Sequence, residues 1–533
     1  MSAKPWKVLV SDKLAKEGLA VFEAAEGISV DVKVGLTPDE LENIIGNYDA
    51  LAIRSATQVD RRILTAARNL KIVGRAGIGV DNVDVPAASE RGILVVNTPE
   101  GNVVTTAEHA ISLMCALARR IPQATASMKQ GKWEKNKFQG REMAGKVLGI
   151  IGLGNIGKIV ANRAFGLKME VIAYDPYITP ERARELGVEA VELDALLTRA
   201  DFVTLHVPMV EATKNIISKD AIRKMKPGAF LINAARGGLV DERAAAEALK
   251  EGHLAGAAFD VFVEEPPAKD NPLLGLDNVV LTPHLGASTE EAQVNVSVAV
   301  AEQIIEYLVK GVIKSAVNAP TVSADLMSTL GPYIRLGRKA GKMAAQIHQG
   351  GVREIRAIYA GDLAELPMGP VTAAMLAGVL ETALACEVNP VSAPYMAKER
   401  GINVVEERTS LPTDFARAIV LKVHGGGSKT EIVGALFGED ERIVRVNGTH
   451  LEIVPEGAIL LTRHFDRPGV IGRIGTILGE AGVNISRLNL SKREEDSGLA
   501  EAVVSIERPV TPEVLKAIEA LDGIERVVQL NLD

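Results

Sequence analysis

The chain runs to 533 residues, a length that predicts roughly three to four domains, and its 47% hydrophobic content marks them as globular rather than disordered. Its 60 basic and 68 acidic side chains give a net charge of −8 without long runs of either sign, which offers nucleic acid or an anionic membrane no electrostatic footprint. Two cysteines, Cys115 and Cys386, exclude a disulfide framework; with no secretory leader pattern and no apolar run of about 18 residues, the expected setting is the reducing cytoplasm.

From residue 7 to about 98, short β-branched runs recur at "KVLVS", "ISVDVKV", "YDALAIRS", "LKIVGRAG" and "GILVVNT", separated by segments of helical spacing such as "TPDELENIIGNY". Such alternation predicts parallel strands joined by crossover helices. A helix follows at "TTAEHAISLMCALARRI", where Cys115 reads as a buried thiol, and then six further strands lie between Lys146 and Thr282. A long helix is expected after Thr289, over "EEAQVNVSVAVAEQIIEYLVKG", and "KSAVNAPTVSADLM" is a modest boundary. Beyond it, helical pattern at "IRLGRKAGKMAAQIHQ" and "PVTAAMLAGVLETAL" mixes with strand pattern at "VREIRAIYAG", "RAIVLKVHG" and "RIVRVNG". Residues 458–533 read as βαββαβ, a ferredoxin-like order.

Chemistry enters at "VLGIIGLGNIGKIVANRAFG", where Gly152, Gly154 and Gly157 follow an apolar strand and open a helix in G-x-G-x-x-G spacing. The first glycine permits the tight turn, the second lets the backbone approach a pyrophosphate, and the third lets helix and strand pack closely. The next strand should end in an acid about 20 residues on, and "EVIAYD" ends in Asp175. Its carboxylate would bond the ribose hydroxyls and repel a 2′-phosphate, which favours NAD over NADP.

A nicotinamide implies hydride transfer, so a group must move the accompanying proton and another must hold the substrate. In doubly wound sheets such groups lie beyond the carboxyl ends of strands. Arg236 after "FLINAA", Glu265 after "AAFDVFVE" and His284 in "TPHLGAST" occupy such places. Histidine suits proton exchange near neutral pH, a carboxylate on its other nitrogen would fix the tautomer, and an arginine fork would grip a substrate carboxylate.

Taken together, "GLGNIG" with Asp175, "INAARGGLVDE", "FDVFVEEPP" and "TPHLGAST" resemble the NAD-dependent D-2-hydroxyacid dehydrogenases, in order and spacing, over residues 1 to about 315. The resemblance implies Arg236, Glu265 and His284 as the catalytic set. It also implies Asn155, Ile156, Ala234, Ala235, Asp260 and Gly286 as further cofactor contacts, beside Arg236 and His284. The implied fold class is α/β: two doubly wound parallel-sheet domains, for substrate and, Rossmann-type, for the nucleotide, with an α+β intervening domain and a ferredoxin-like ACT domain. Expected boundaries are 1–98 for the first part of the substrate domain, 99–289 for the NAD domain, 290–316 for a returning helix, 317–453 for the intervening domain and 458–533 for the ACT domain, with hinges near "TPEGN" and "LGAST".

Within that family "IRSAT", "GRAGIGVDNVD", "NTPEGN" and the long C-terminal extension are similar to the branch that oxidises 3-phospho-D-glycerate, the first step of phosphorylated L-serine biosynthesis. Arg54, Ser55, Arg75 and Asn102, with Arg236 and His284, are then the expected substrate contacts, because a doubly charged substrate needs more than one arginine; Lys135 is a weaker candidate. Ile78 and Val207 stand where relatives often place hydroxyl or polar residues. The ACT module implies L-serine as effector, held by His464, Asp466 and Asn484 around a helix beginning at Pro468 and Gly469, and the family implies a homotetramer. Two other readings stay open at this level: another 2-hydroxyacid dehydrogenase, such as a glyoxylate or hydroxypyruvate reductase, and a non-enzymatic NAD-sensing corepressor-like scaffold.

Overall fold

A computed structural model describes residues 4–321, 324–384, 388–410, 415–492 and 498–532. Cys386, and Val322 and Ser323 of the expected boundary, lie outside the described residues. The chain divides into two compact units, one of Met1–Thr98 with Ala299–Asp533 and the other of Pro99–Val298.

The first unit opens with five parallel strands in the spatial order Ile28–Val32, Trp6–Val10, Ala50–Ile53, Ile72–Arg75 and Leu94–Asn97. Val8, Leu51, Val73 and Val95 are fully buried, as continuous apolar runs covered on both faces should be. The residues after 299 complete this layer. Gly74 faces Val300 and Ile304 so closely that a Cβ there would lie 2.6 Å and 2.7 Å from their side chains. Gln303 donates to Asn97 O at 3.0 Å, and Asn318 bonds the backbone of Val95 and Ile93.

Further on in the same unit, the helices Ala324–Ile347 and Gly369–Leu384 cover a six-stranded sheet. The first helix starts ten residues earlier than its apolar pattern suggested, running through Pro332, because Leu330 and Tyr333 are buried in the core. Burial of that kind, about 1.5–3 kcal/mol per large side chain, offsets the loss of one helical hydrogen bond. Strands Asn403–Thr409, Ser428–Phe437 and Thr449–Ile453 and the helix Ser392–Glu399 carry too little pattern to have been expected. The last 75 residues form a four-stranded antiparallel sheet, order Ile485–Lys492, Leu499–Ile506, Ala458–Phe465, Ile524–Asn531, as βαββαβ requires. Ile459, Val503 and Leu530 belong to the same core as the preceding domain.

The second unit holds a seven-stranded, wholly parallel sheet in the order Val279–Leu281, Leu254–Phe259, Ala229–Asn233, Phe202–Leu205, Val147–Ile151, Glu170–Tyr174, Glu189–Ala190. The seventh strand, two residues at the edge, is too short for its pattern to show among the six expected. Strand order reverses between Val147–Ile151 and Phe202–Leu205, and parallelism brings all carboxyl ends to one edge. Cys115, on the helix Val103–Ala118, is half-buried rather than buried; burial still raises its thiol pKa.

Candidate active site

At the reversal point the chain leaves Val147–Ile151 through the glycine turn. Gly152 has φ 93°, and a Cβ on it would lie 2.6 Å from both His206 O and Val207 Cγ1. Gly157 packs so tightly that a Cβ would stand 2.1 Å from Gly152 O, whereas nothing lies within 4 Å of one at Gly154. The turn is thus closed beneath and open above, where a ligand backbone approaches. The helix Asn155–Gly166 starts here without a side-chain cap, so the N–H groups of Asn155, Ile156 and Gly157 head an uncapped positive helix end. Asp175 Oδ2 accepts Leu153 N at 2.9 Å, which ties the acid at the end of the second strand to the glycine turn. These features fit a dinucleotide, and Val207 packs its Cγ1 against Gly152 at the closed side of the turn.

The residues expected to move the proton and grip the substrate follow three adjacent strands. His284, after Val279–Leu281, places Nδ1 2.7 Å from Glu265 Oε2, which follows Leu254–Phe259. The other carboxylate oxygen, Oε1, accepts Phe262 N at 3.1 Å, so the acid is braced by its own loop. His284 takes a left-handed backbone, φ 55°, and donates its N–H to Asp260 O at 2.8 Å. Arg236 follows Ala229–Asn233, in the loop of Ala234 and Ala235, and donates from Nη1 to Ala235 O at 2.7 Å. Buried Asn233 shapes that loop, donating to Arg236 O at 2.9 Å and accepting Ala235 N at 3.1 Å.

Asp260 has no exposed surface. Its Oδ1 accepts Thr282 Oγ1 at 2.5 Å and Leu285 N at 2.7 Å and lies 3.1 Å from His109 Nε2, while Oδ2 accepts Gly286 N at 2.9 Å. Burial alone would raise its pKa, but the bonds from His109, Thr282 and Leu285 together hold it below the usual carboxylate value. Both Asp260 oxygens thus accept bonds from the 282–286 loop and give it its shape. Asn233, Thr282 and His109 were not singled out in the sequence, and nothing in their spacing distinguishes them there.

Asn102 is buried at the start of the helix Val103–Ala118, with its Oδ1 lacking a hydrogen-bond partner among the described residues. In the other unit Arg54 and Arg75 mark neighbouring strand ends, since Ile53 pairs with Arg75 in the sheet. Arg54 donates to Lys13 O at 3.2 Å; burial lowers its pKa, opposed by Asp12. The Arg75 guanidinium lies against Gly77, where a Cβ would come within 1.7 Å of Nη1. Ser55 is exposed, as is Lys135 in a short 3-10 turn of the other unit.

In the last domain Asp466 and the Asn484 side chain are exposed, but His464 is only 3% exposed within its strand. It therefore does not present its ring as a surface contact; burial lowers its pKa, with Asp466 opposing. The helix runs Val470–Glu480, and Gly469 is its left-handed cap at φ 91° rather than its first helical residue.

Residues 111–286 match the family described as D-isomer specific 2-hydroxyacid dehydrogenase, NAD binding domain; 329–447 match the D-3-phosphoglycerate dehydrogenase intervening domain, and 458–523 the ACT domain. Over 520 residues the chain is 43% identical to D-3-phosphoglycerate dehydrogenase of Archaeoglobus fulgidus, covering 97% of this chain and 98% of that protein. Over 527 residues it is 44% identical to the protein of that name from Methanocaldococcus jannaschii, covering 99% and 100%. The chain belongs to the D-3-phosphoglycerate dehydrogenase family. Among solved structures it resembles D-lactate dehydrogenase of Aquifex aeolicus complexed with NAD and lactic acid, at TM-score 0.53 and 26% identity over 59% of this chain and all of that one. A glyoxylate reductase from Paecilomyes thermophila gives TM-score 0.55 and 28% identity over 59% and 99%. The NAD-binding domain of this family makes NAD the cofactor. Among the described residues no helix is long and apolar enough to cross a membrane, and no cluster of His, Cys, Asp or Glu is arranged to hold a metal.

Proposed function

We propose that the protein oxidises 3-phospho-D-glycerate to 3-phosphohydroxypyruvate with NAD, the first step of phosphorylated L-serine biosynthesis. The observation that carries this reading is the 2.7 Å contact of His284 Nδ1 with Glu265 beside a dinucleotide fold, in a chain that matches the named relatives from end to end. Bound NAD supplies the hydride acceptor. Glu265 occupies Nδ1, which leaves Nε2 to take the hydroxyl proton as the carbonyl forms, and the carboxylate then stabilises the imidazolium. Arg236 grips the substrate carboxylate, while Arg54, Ser55, Arg75 and Asn102 hold the remaining anionic and polar groups. Gly152, Gly154, Asn155, Ile156, Gly157 and Asp175 seat the adenosine and pyrophosphate, and the loops of Ala234–Arg236 and His284–Gly286, the second shaped by Asp260, complete the cofactor site.

The proposal extends to organisation. Residues 1–98 and 290–316 serve as the substrate domain, 99–289 as the nucleotide domain, 317–453 as the intervening domain and 458–533 as the regulatory one. There L-serine acts as feedback effector, its carboxylate at the start of the helix Val470–Glu480 and its polar ends at Asp466 and Asn484. The working form is a cytoplasmic homotetramer. A steady-state assay with 3-phosphoglycerate and NAD, against unphosphorylated D-glycerate and with or without L-serine, tests the whole. Equal turnover of the two substrates would sink the substrate choice, and indifference to L-serine in both rate and binding would sink the feedback.

A further inference from the structure

The helix Val103–Ala118 reaches the His284 loop at two points on one face. Thr106 Oγ1 donates to Gly286 O at 3.0 Å, and three residues on, His109 Nε2 stands 3.1 Å from Asp260 Oδ1 and 3.3 Å from Thr282 Oγ1. Asp260 is a fully buried carboxylate, and an ionised carboxylate has only acceptor oxygens. Facing that acceptor, and facing Thr282 Oγ1, which itself donates to it, His109 Nε2 acts as an N–H donor. Around that carboxylate the chain wraps tightly: Thr282 Oγ1, Leu285 N and Gly286 N all donate to its oxygens, and His284 N donates to its backbone carbonyl.

These bonds leave His284 at φ 55°, a conformation that a residue with a side chain adopts only when its surroundings impose it. The imposing group is Asp260, and Asp260 stays buried as an anion because donors replace its lost hydration. Three of those donors belong to the loop being shaped. His109 is the donor from outside the loop, fixed to a helix, and it anchors the carboxylate in place. We propose that His109 is a positioning residue for proton transfer: its N–H to Asp260 holds the 282–286 loop in the left-handed form that presents His284 to Glu265. The proposal rests on the role given to His284 above.

The test compares His109→Leu, which keeps bulk and removes the donor, with His109→Gln, whose amide offers an N–H at nearly the position of Nε2. A misplacement of about 1 Å costs on the order of 100-fold in rate, so kcat of H109L should fall by about 10- to 100-fold. KM for 3-phosphoglycerate should change by less than about threefold, the pattern of an interaction made only in the transition state. H109Q should recover most of the rate. A second reading needs no turnover: the downfield proton of His284 Nδ1–H bonded to Glu265 should be present in wild type and H109Q and lost in H109L at a temperature where H109L is still folded. Unchanged kcat and an unchanged downfield proton in folded H109L would overturn the proposal. Should H109L fail to fold, H109Q with the proton lost and no recovery of rate would overturn it equally. A wild type that shows the downfield proton yet ignores 3-phosphoglycerate would overturn the substrate reading and leave this one standing.

Discussion

Two parallel sheets of similar construction occur in this chain, and the loops after the first strand of each, in chain order, carry opposite equipment. After Trp6–Val10 comes Asp12, 4% exposed, whose carboxylate accepts Arg54 N at 2.6 Å, Thr57 N at 3.2 Å and Thr57 Oγ1 at 2.7 Å. After Val147–Ile151 comes the glycine turn, open above Gly154. A buried carboxylate takes up the N–H groups that a phosphate would need and repels the phosphate itself; a glycine turn leaves them available. The first sheet instead brings arginines to its strand ends, Arg54 and Arg75, on side chains long enough to meet a small anion. Similar architecture thus carries different loop chemistry, and under the proposed function a few loop residues decide which ligand each sheet takes.

The sharpest way to test this contrast is at His284, the proton carrier proposed for the nucleotide sheet. His284→Ala should lower kcat by about 100- to 10,000-fold, the range for loss of a general base. Turnover that survives intact would remove His284 from the chemistry. Next in size, Arg75→Ala should raise KM for 3-phosphoglycerate by about 10- to 100-fold, the equivalent of a charge-assisted hydrogen bond worth about 1.5–3 kcal/mol. KM for D-glycerate should move much less, and a parallel rise in both would contradict a phosphate role. Asp175→Asn keeps the shape and removes the charge, so the preference for NAD over NADP should relax by about tenfold; dissociation constants for both dinucleotides decide this.

The smallest expected effect is on stability. His206, beside the glycine turn, has its Nδ1 buried without a partner among the described residues, and burial pushes its pKa down from 6.5 to about 4. The neutral ring is the form the fold accepts, so its contribution is complete above about pH 6.5 and is lost as pH falls toward 4. An unscreened shift of that size represents roughly 3 kcal/mol, and partial exposure of the ring leaves on the order of 1 kcal/mol. Urea unfolding of wild type and His206→Asn at pH 4.5 and 7.5 measures it; an identical pH dependence in the two would exclude the residue.

Much of this site was legible because its groups obey position rules. Gly152, Asp175, Arg236, Glu265 and His284 each follow an apolar run, and in a parallel sheet the end of a run is where ligands bind. His109 obeys no such rule: it lies inside a helix, and its partners Asp260 and Thr282 are more than 150 residues away, a separation that no local pattern encodes. Asp12 and Asn233 also follow apolar runs, but their work is to satisfy buried donors and acceptors, which position alone does not reveal. The same reasoning explains the region after 317. Strand Asn403–Thr409, "NVVEERT", is an edge with alternating exposure and three charges, so its apolar signal is weak. In the helix pair Ala324–Ile347 and Gly369–Leu384, a Cβ at Gly341 would lie 2.3 Å from Met375 O and one at Gly378 2.1 Å from Arg338 O. Glycines that weaken a helix by propensity are here what lets two helices touch, and propensity alone reads them in the wrong sense.

The first sheet is finished by residues that the ribosome makes late. Gly74 and Asn97 meet Val300, Ile304 and Gln303, yet the roughly 200 residues of Pro99–Val298 are synthesised in between. At about 5–20 residues per second that interval is roughly 10–40 s, during which the apolar face at Gly74 has no cover of its own. The nascent chain thus has the whole nucleotide sheet in hand while the first sheet still waits for its last helix.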